Sequence, residues 1–278
     1  MWFNHLMRSI IIIRGGGDIA SGIALRLYRS GFKVLITELE IPLTVRRNVS
    51  FSEAVFTETT VIEGITARKV FTELQIIESF DQHEIPVLVD GDLEILKSEE
   101  FGFPILIEAR MDKKTPEVSF HGSIPLVIGI GPGFEAGKDC HFVIESNRGH
   151  FLGRIIGQGK AQEDSGIPAG DPTRVLRSPV TGLISTNAQI GQILQKGQLI
   201  ARVGNHEINA PFTGLLRGLI HTGIQVKAGM KIGDMDHRLD PDLCTTISEK
   251  AMAIGGSVLE IILRYENLKP GFIQGLIG

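Results

Sequence analysis

Two stretches of the chain repeat at an offset of 32 residues. Pro179, Thr181, Gly182, Leu183, Gly191, Gly197 and Ile200 recur as Pro211, Thr213, Gly214, Leu215, Gly223, Gly229 and Ile232. Each copy reads as short apolar strands parted by glycine turns, the pattern of a small all-β unit. One copy holds too little apolar surface to fold by itself, so the two are expected to interleave about a pseudo-twofold axis. The unit is placed at 174–236.

This unit resembles the barrel-sandwich fold of biotinyl and lipoyl carrier domains. In a carrier, the hairpin between the halves presents a lysine for attachment. Here the intervening stretch, Ala201 to Ala210, contains no lysine. The resemblance implies the fold without attached biotin or lipoate, and the function is expected elsewhere.

The residues before the repeat alternate strand and helix signals. Ser9–Ile13 is a strand run leading into glycines, and Asp18–Ser30 carries Ile19, Ile23, Ala24 and Leu27 on one helical face. Lys33–Thr37 is the next strand. Ser50 with Glu53 has the spacing of a capping box. Thr66–Phe80 places Val70, Leu74 and Ile77 at helical spacing. Pro86–Val89, Ile105–Glu108, Leu126–Ile130 and Phe142–Ile144 read as short buried strands. Such alternation predicts an α/β fold with a Rossmann-like, doubly wound, mostly parallel sheet. The expected divisions are 1–156 for the sheet domain, 157–173 for a glycine- and proline-rich linker, 174–236 for the barrel-sandwich hybrid and 237–278 for a C-terminal helical segment. In that last segment Thr246 and Glu249 suggest a second capping box, and Gly255-Gly256 is a point where the helix is either tolerated or broken.

Hydrophobic residues make up 42% and charged residues 22% of the 278, and the formal net charge is −4. That balance builds a sizeable core and gives no general attraction to nucleic acid or anionic membranes. The longest aliphatic run, Ile10–Ile13, is too short to span a bilayer, and Met1–Arg8 lacks the order of a signal peptide. Two cysteines give no disulfide framework. A cytoplasmic protein is expected.

Gly15, Gly16 and Gly17 follow the first strand and open the first helix at Asp18. Gly15, Gly17 and Ala20 fit the G-x-G-x-x-G/A pattern of a diphosphate cradle, and Glu38 closes the second strand where a carboxylate meets a ribose hydroxyl. The same glycines also suit close packing of helix on strand. Gly131 and Gly133, in the loop 129–134, either line the same crevice or make a plain turn. Arg46 and Arg47 have the chemistry of a bidentate anion clamp, or of a solvated basic loop. Arg110 and Lys113 leave a strand at its carboxyl end. Glu145, Arg148 and His150 end the last strand, where a carboxylate and an imidazole have the chemistry of an acid and a base. Metal ligation is not expected: the eight histidines show no H-x-x-x-H spacing, and neither Cys140 nor Cys244 has a neighbouring cysteine.

Several segments together resemble one family. They are Arg14–Asp18, Arg46–Ala54, Glu63-Gly64, Glu108–Met111, Gly129–Phe134, Arg148–His150 and Thr246–Ala251. They look like the YqeB-type accessory proteins of selenium-dependent molybdenum hydroxylases, and the sheet domain is similar in kind to the XdhC accessory proteins of xanthine dehydrogenase. The resemblance covers essentially the whole chain. It implies handling of a molybdopterin-type cofactor during sulfur or selenium installation, with a molybdenum hydroxylase client and a sulfur or selenium donor protein as partners. It implies a cofactor site at Gly15, Gly16, Gly17, Asp18, Glu38, Arg46 and Arg47, with Arg110, Lys113, Gly131 and Gly133 behind them. The sequence departs from the family at Asp236-His237-Arg238 and at Gly256-Ser257, and Cys140 is no counterpart of a sulfur-transfer cysteine. A dinucleotide such as NAD is the other ligand the glycine turn suits, which makes an NAD-dependent oxidoreductase the alternative.

Overall fold

A computed structural model describes residues 10–268 except 103, 112, 115, 165 and 167–169. The segment read for a signal peptide, Ser9 of the first strand run, Pro168 of the linker stretch and the chain after 268 lie outside the described residues.

The sheet half contains β1 (Ile11–Arg14), α1 (Asp18–Arg29), β2 (Val34–Glu38), α2 (Ala54–Thr57), β3 (Thr59–Ile62), β4 (Ile65–Val70), α3 (Glu73–Asp81) and β5 (Ile85–Val89). It continues with β6 (Ile105–Glu108), β7 (Leu126–Ile130), β8 (Glu135–Ala136), β9 (Phe142–Ile144), β10 (Ile155–Ile156) and β11 (Gly159–Lys160). Nine strands form one sheet in the order β10-β9-β7-β6-β1-β2-β5-β4-β3. The inner seven run parallel, and β10 and β3 pair antiparallel at the edges. Within β1 the side chains alternate: Ile11 and Ile13 join the core beneath α1, while Ile10, just before the strand, and Ile12 join the core on the α3 side. The chain builds outward from β1 through β2, then crosses after β5 to β6 on the other side of β1. Arg14, Thr37 and Glu108 therefore stand level at the carboxyl ends, beside the point where strand order reverses.

Two local expectations are corrected. Thr66–Phe80 is not one helix: β4 runs to Val70 and α3 begins at Glu73. The spacing of Val70, Leu74 and Ile77 mixed a strand residue with helical ones, and Leu74 is 64% exposed while Ile76 is the buried one. The capping boxes do not form either. The Ser50 hydroxyl donates to the Arg46 carbonyl at 2.8 Å, and Glu53 reaches Arg47 and His221 instead.

The second half holds β12 (Val175–Arg177), β13 (Gly182–Thr186), β14 (Ile193–Leu194), β15 (Leu199–Val203), β16 (His206–Asn209), β17 (Gly214–Leu219), β18 (Gln225–Val226) and β19 (Lys231–Asp236). They make two four-stranded sheets, β12-β19-β17-β14 and β16-β15-β13-β18. The repeat maps β13, β14 and β15 onto β17, β18 and β19. The second strand of each copy pairs with the first strand of the other, β14 with β17 and β18 with β13. This reciprocal exchange is the interleaving expected from the repeat. Residues from both copies, including Ile184, Ile200, Leu216 and Ile232, share one core.

α4 (Glu249–Leu268) returns to the sheet half and lies against α1. It is continuous through Gly255-Gly256. Its first turn is capped by Ser248, whose Oγ accepts from the Ala251 amide at 3.3 Å, while the Thr246 hydroxyl donates to the Asp242 carbonyl. The helices touch through small residues. A Cβ on Gly22 would lie 2.6 Å from the Ala251 Cβ, and one on Gly255 would lie 2.9 Å from the Gly22 carbonyl oxygen. The two halves also meet at Leu219, whose amide donates to the Val45 carbonyl at 2.8 Å and whose carbonyl accepts from Arg47 Nε at 2.7 Å.

Candidate functional site

The glycine turn is closed by the protein itself. Gly15 has φ +97°, and a Cβ there would come within 3.3 Å of Arg110. The Gly16 amide donates to Glu38 Oε2 at 2.7 Å, and its carbonyl accepts from the Ser52 amide at 2.9 Å. The other Glu38 oxygen accepts from the Leu39 amide. Burial pushes the Glu38 carboxyl above its usual range, against the pull of those two amides. Beside it, the buried Glu108 carboxylate lies between Arg14 Nη1 and Arg110 Nε, each at 3.1 Å.

The N-terminus of α1 opens elsewhere. Gly17 caps it with no side-chain bond, so the first-turn amides keep the partial positive charge of a helix start. Arg46, which bonds Asp18 of the first turn, borders a cleft of two lobes. The larger, 450 Å³, contains Arg46, Arg148, Arg174, Arg217 and Arg238, together with the turn that starts α4. The smaller, 210 Å³, lies beyond the carboxyl ends of β6, β7 and β9 and contains Lys113, Ser146, Asn147, Gln162 and Lys250. Arg148 and Arg174 border both lobes.

Two buried aspartates hold the arginines in place. Asp234 accepts from Arg174 at 2.6 Å and from Arg217 Nε at 2.9 Å. Asp236 accepts from Arg217 at 3.0 Å and from Arg238 at 2.8 and 2.9 Å. The Arg238 contacts, chiefly, hold the Asp236 carboxyl down at about 2. Arg46 is nine-tenths buried. It bonds Asp18 at 3.4 Å and the Leu243 carbonyl at 3.0 Å, and its Nε has no partner among the described residues. Burial lowers the Lys231 and Lys250 ammonium groups below the ordinary lysine value, with Asp18 pulling the other way on both. Seven cationic side chains and four carboxylates line the two lobes, and Asp18 and Asp234 bond the arginines from behind, so the cations are gathered but largely paired.

The structure brings Asp18, Arg46, Lys113 and Gly131 of the sequence-predicted residues to this cleft or its wall. Lys113 pairs there with Asp164. Gly131 has φ +89°, and a Cβ on it would press on Ser146 Oγ at 2.9 Å. Gly133 is buried in the same turn. Arg47 turns away to the junction between halves, bonding Leu219, Glu53 and His221. Gly15, Gly16, Glu38 and Arg110 cluster in the closed turn, and Arg110 faces a different cavity. That cavity, 910 Å³, is also bordered by Arg14, Lys97, Lys114 and Phe120. Arg14 is committed there to Glu108 and to the Gly91 carbonyl. Glu145 is no free acid or base, since its carboxylate accepts from the Asn147 and Gln162 amides at 2.6 and 2.7 Å. Cys140 is buried and its thiol is pushed up to about 12 by burial, which makes it inert.

Sequence reasoning missed Arg174, Arg217, Arg238 and Lys250. The arginines lie on or beside short strands where a charged residue reads as a solvated face. The departures from the family pattern fall at structural contacts. His237 stacks on Phe212 at 3.7 Å and bonds Asp171, and Ser257 donates to the Gly153 carbonyl. Among the described residues, no group of three or more His, Cys, Asp or Glu side chains is placed to hold a metal ion, and no helix is long and apolar enough to cross a membrane.

Fold and cleft together define a mixed α/β protein with a parallel-strand sheet, an antiparallel β unit and a C-terminal helix, with a cation-lined cleft bordered by residues of both halves. The uncharacterized protein YqeB of Escherichia coli (strain K12) is 43% identical over 258 residues, which is 91% of this chain and 47% of that protein. The chain spans about half the length of the curated relative it matches. No family model matches the chain. A solved succinylglutamate desuccinylase from Silicibacter sp. TM1040 is 14% identical, with 83% of this chain and 86% of that one covered at a TM-score of 0.23, a likeness too slight to carry a conclusion.

Proposed function

We propose that the protein is a YqeB-type accessory factor that binds a molybdopterin-type cofactor and protects it for sulfur or selenium installation and delivery to a molybdenum hydroxylase. The observation that carries this reading is the cleft. Arginines from both halves line it, and the buried Arg46 Nε is left without a partner among the described residues. Molybdopterin bears a phosphate, and guanidinium groups are donors that a phosphate takes. Arg46, Arg148, Arg174, Arg217 and Arg238 would hold it. The bound group would supply the metal-centred redox chemistry of the client enzyme, and this chain would supply binding and shielding.

On this reading the sheet is Rossmann-like, and the β unit is a barrel-sandwich hybrid that has lost carrier attachment and gained cationic side chains. A client hydroxylase and a sulfur or selenium donor are the partners, and the setting is cytoplasmic. The alternative, an NAD-dependent oxidoreductase, calls on Glu38 for a ribose hydroxyl, and both of its oxygens already accept from Gly16 and Leu39. The experiment is mass spectrometry and fluorescence on the small molecule released from protein purified from its native host, with a molybdenum assay. A pterin with molybdenum is expected. A nicotinamide dinucleotide without pterin would overturn the reading.

A further inference from the structure

The two lobes differ in chemistry. The larger is a guanidinium cage. The smaller adds neutral hydrogen-bonding groups, Ser146, Asn147 and Gln162, and the apolar edges of Met111 and Pro132 to its charged side chains, Lys113, Arg148, Asp164, Arg174 and Lys250. Ser146 is 4% exposed, and its hydroxyl has no hydrogen-bond partner among the described residues. Gly131, in a left-handed conformation, leaves room over that hydroxyl, since a Cβ there would stand 2.9 Å from it. That oxygen is not among the fully buried unpartnered atoms, so it reaches the lobe and is open to a ligand's polar atom. Each lobe thus carries one nearly buried polar group with unused capacity, Arg46 Nε in one and Ser146 Oγ in the other.

We propose that the cleft binds a phosphorylated nitrogen heterocycle in one orientation: the phosphate among the arginines, and the polar ring edge in the smaller lobe against Ser146, with Asn147 and Gln162 beside it. This rests on the anion-binding reading of the cleft and adds which end of the ligand goes where. Arg148 and Arg174, common to both lobes, lie where phosphate and ring join. The ring edge is recognised by hydrogen bonds that a hydroxyl and two amides donate and accept, so the lobe selects ring systems carrying both donors and acceptors, as guanine and pterins do.

The test is calorimetric titration of the full chain with inorganic phosphate, guanosine and GMP as probes. GMP should bind more tightly than either part. Ser146→Ala, which removes one oxygen without adding bulk, should weaken GMP about three- to tenfold and leave phosphate unchanged. Arg148→Gln should weaken both GMP and phosphate. Equal affinity for phosphate and GMP, with Ser146→Ala indistinguishable from wild type, would overturn the assigned orientation while leaving the anion site standing. Absence of binding by both phosphate and GMP would overturn the anion site and the orientation with it.

Discussion

Replacing Gly22 by alanine tests whether α4 is seated where the cleft needs it. At an open helix position this change is favourable, by about 0.8–1 kcal/mol, because alanine has the higher helix propensity. Here the added methyl would lie 2.6 Å from the Ala251 Cβ, 2.9 Å from the Ala251 carbonyl carbon and 3.0 Å from its oxygen. Two of those atoms are backbone and cannot rotate away, so α4 must move. Overpacking of this kind costs about 1–3 kcal/mol. The net is a loss of up to about 2 kcal/mol, so the gain from helix propensity is cancelled or reversed. Ala251 follows Lys250 and stands two residues past Glu249, so the displacement also moves the α4 start that borders both lobes. Urea unfolding followed by circular dichroism should show a lower midpoint at unchanged slope, and phosphate affinity should fall with it. A Gly22→Ala protein more stable than wild type by about 1 kcal/mol would refute the close helix contact. Gly255→Ala should give the same sign, since its methyl would meet the Gly22 carbonyl oxygen at 2.9 Å.

Three further outcomes follow from the contacts around the cleft. Arg47→Ala should cost about 1–3 kcal/mol in urea unfolding, because Leu219, Glu53 and His221 lose their shared partner, while phosphate affinity stays within twofold of wild type; a large affinity loss would return Arg47 to the binding site. Asp236 is held down at about 2, so its contribution is complete above about pH 4 and is lost as pH falls from there through about 2; Asp236→Asn should remove that part of the acid profile, and an unaltered profile would contradict the assignment. Glu38→Gln should cost about 1–3 kcal/mol in urea unfolding, since one of the two amides now bonded to carboxylate oxygens would face an NH₂ donor; an unchanged midpoint would mean the closed turn is not held by Glu38.

The sheet half was legible because its signals are local. Ile10–Ile13 runs into three glycines, and Ile19, Ile23 and Leu27 mark one helical face, so β1 and α1 follow from period and punctuation. The repeat was legible for a different reason: identical glycines at one offset require equivalent strands, and equivalent strands can satisfy each other by exchange. Contacts between distant segments left no such mark. Gly22, Ala251 and Gly255 look like weak points in two helices, and only their meeting explains them. Arg174, Arg217 and Arg238 gain meaning from Asp234 and Asp236, which lie within reach only once β17 and β19 pair. The contacts of Glu38 were not legible either, because a carboxylate at a second strand's end serves a ribose or its own glycine turn equally well, and sequence carries no distance between them.

The most direct test of the account compares protein from the native host with and without the cleft's exposed cations. Wild type and an Arg148→Gln, Arg238→Gln double variant are purified side by side, and released pterin and molybdenum are measured per mole of protein. The account predicts cofactor with the wild type and a loss of at least tenfold per mole of folded protein with the variant, the folded fraction being measured by circular dichroism. Equal cofactor content in the two proteins would place the ligand elsewhere and contradict the cleft as its site.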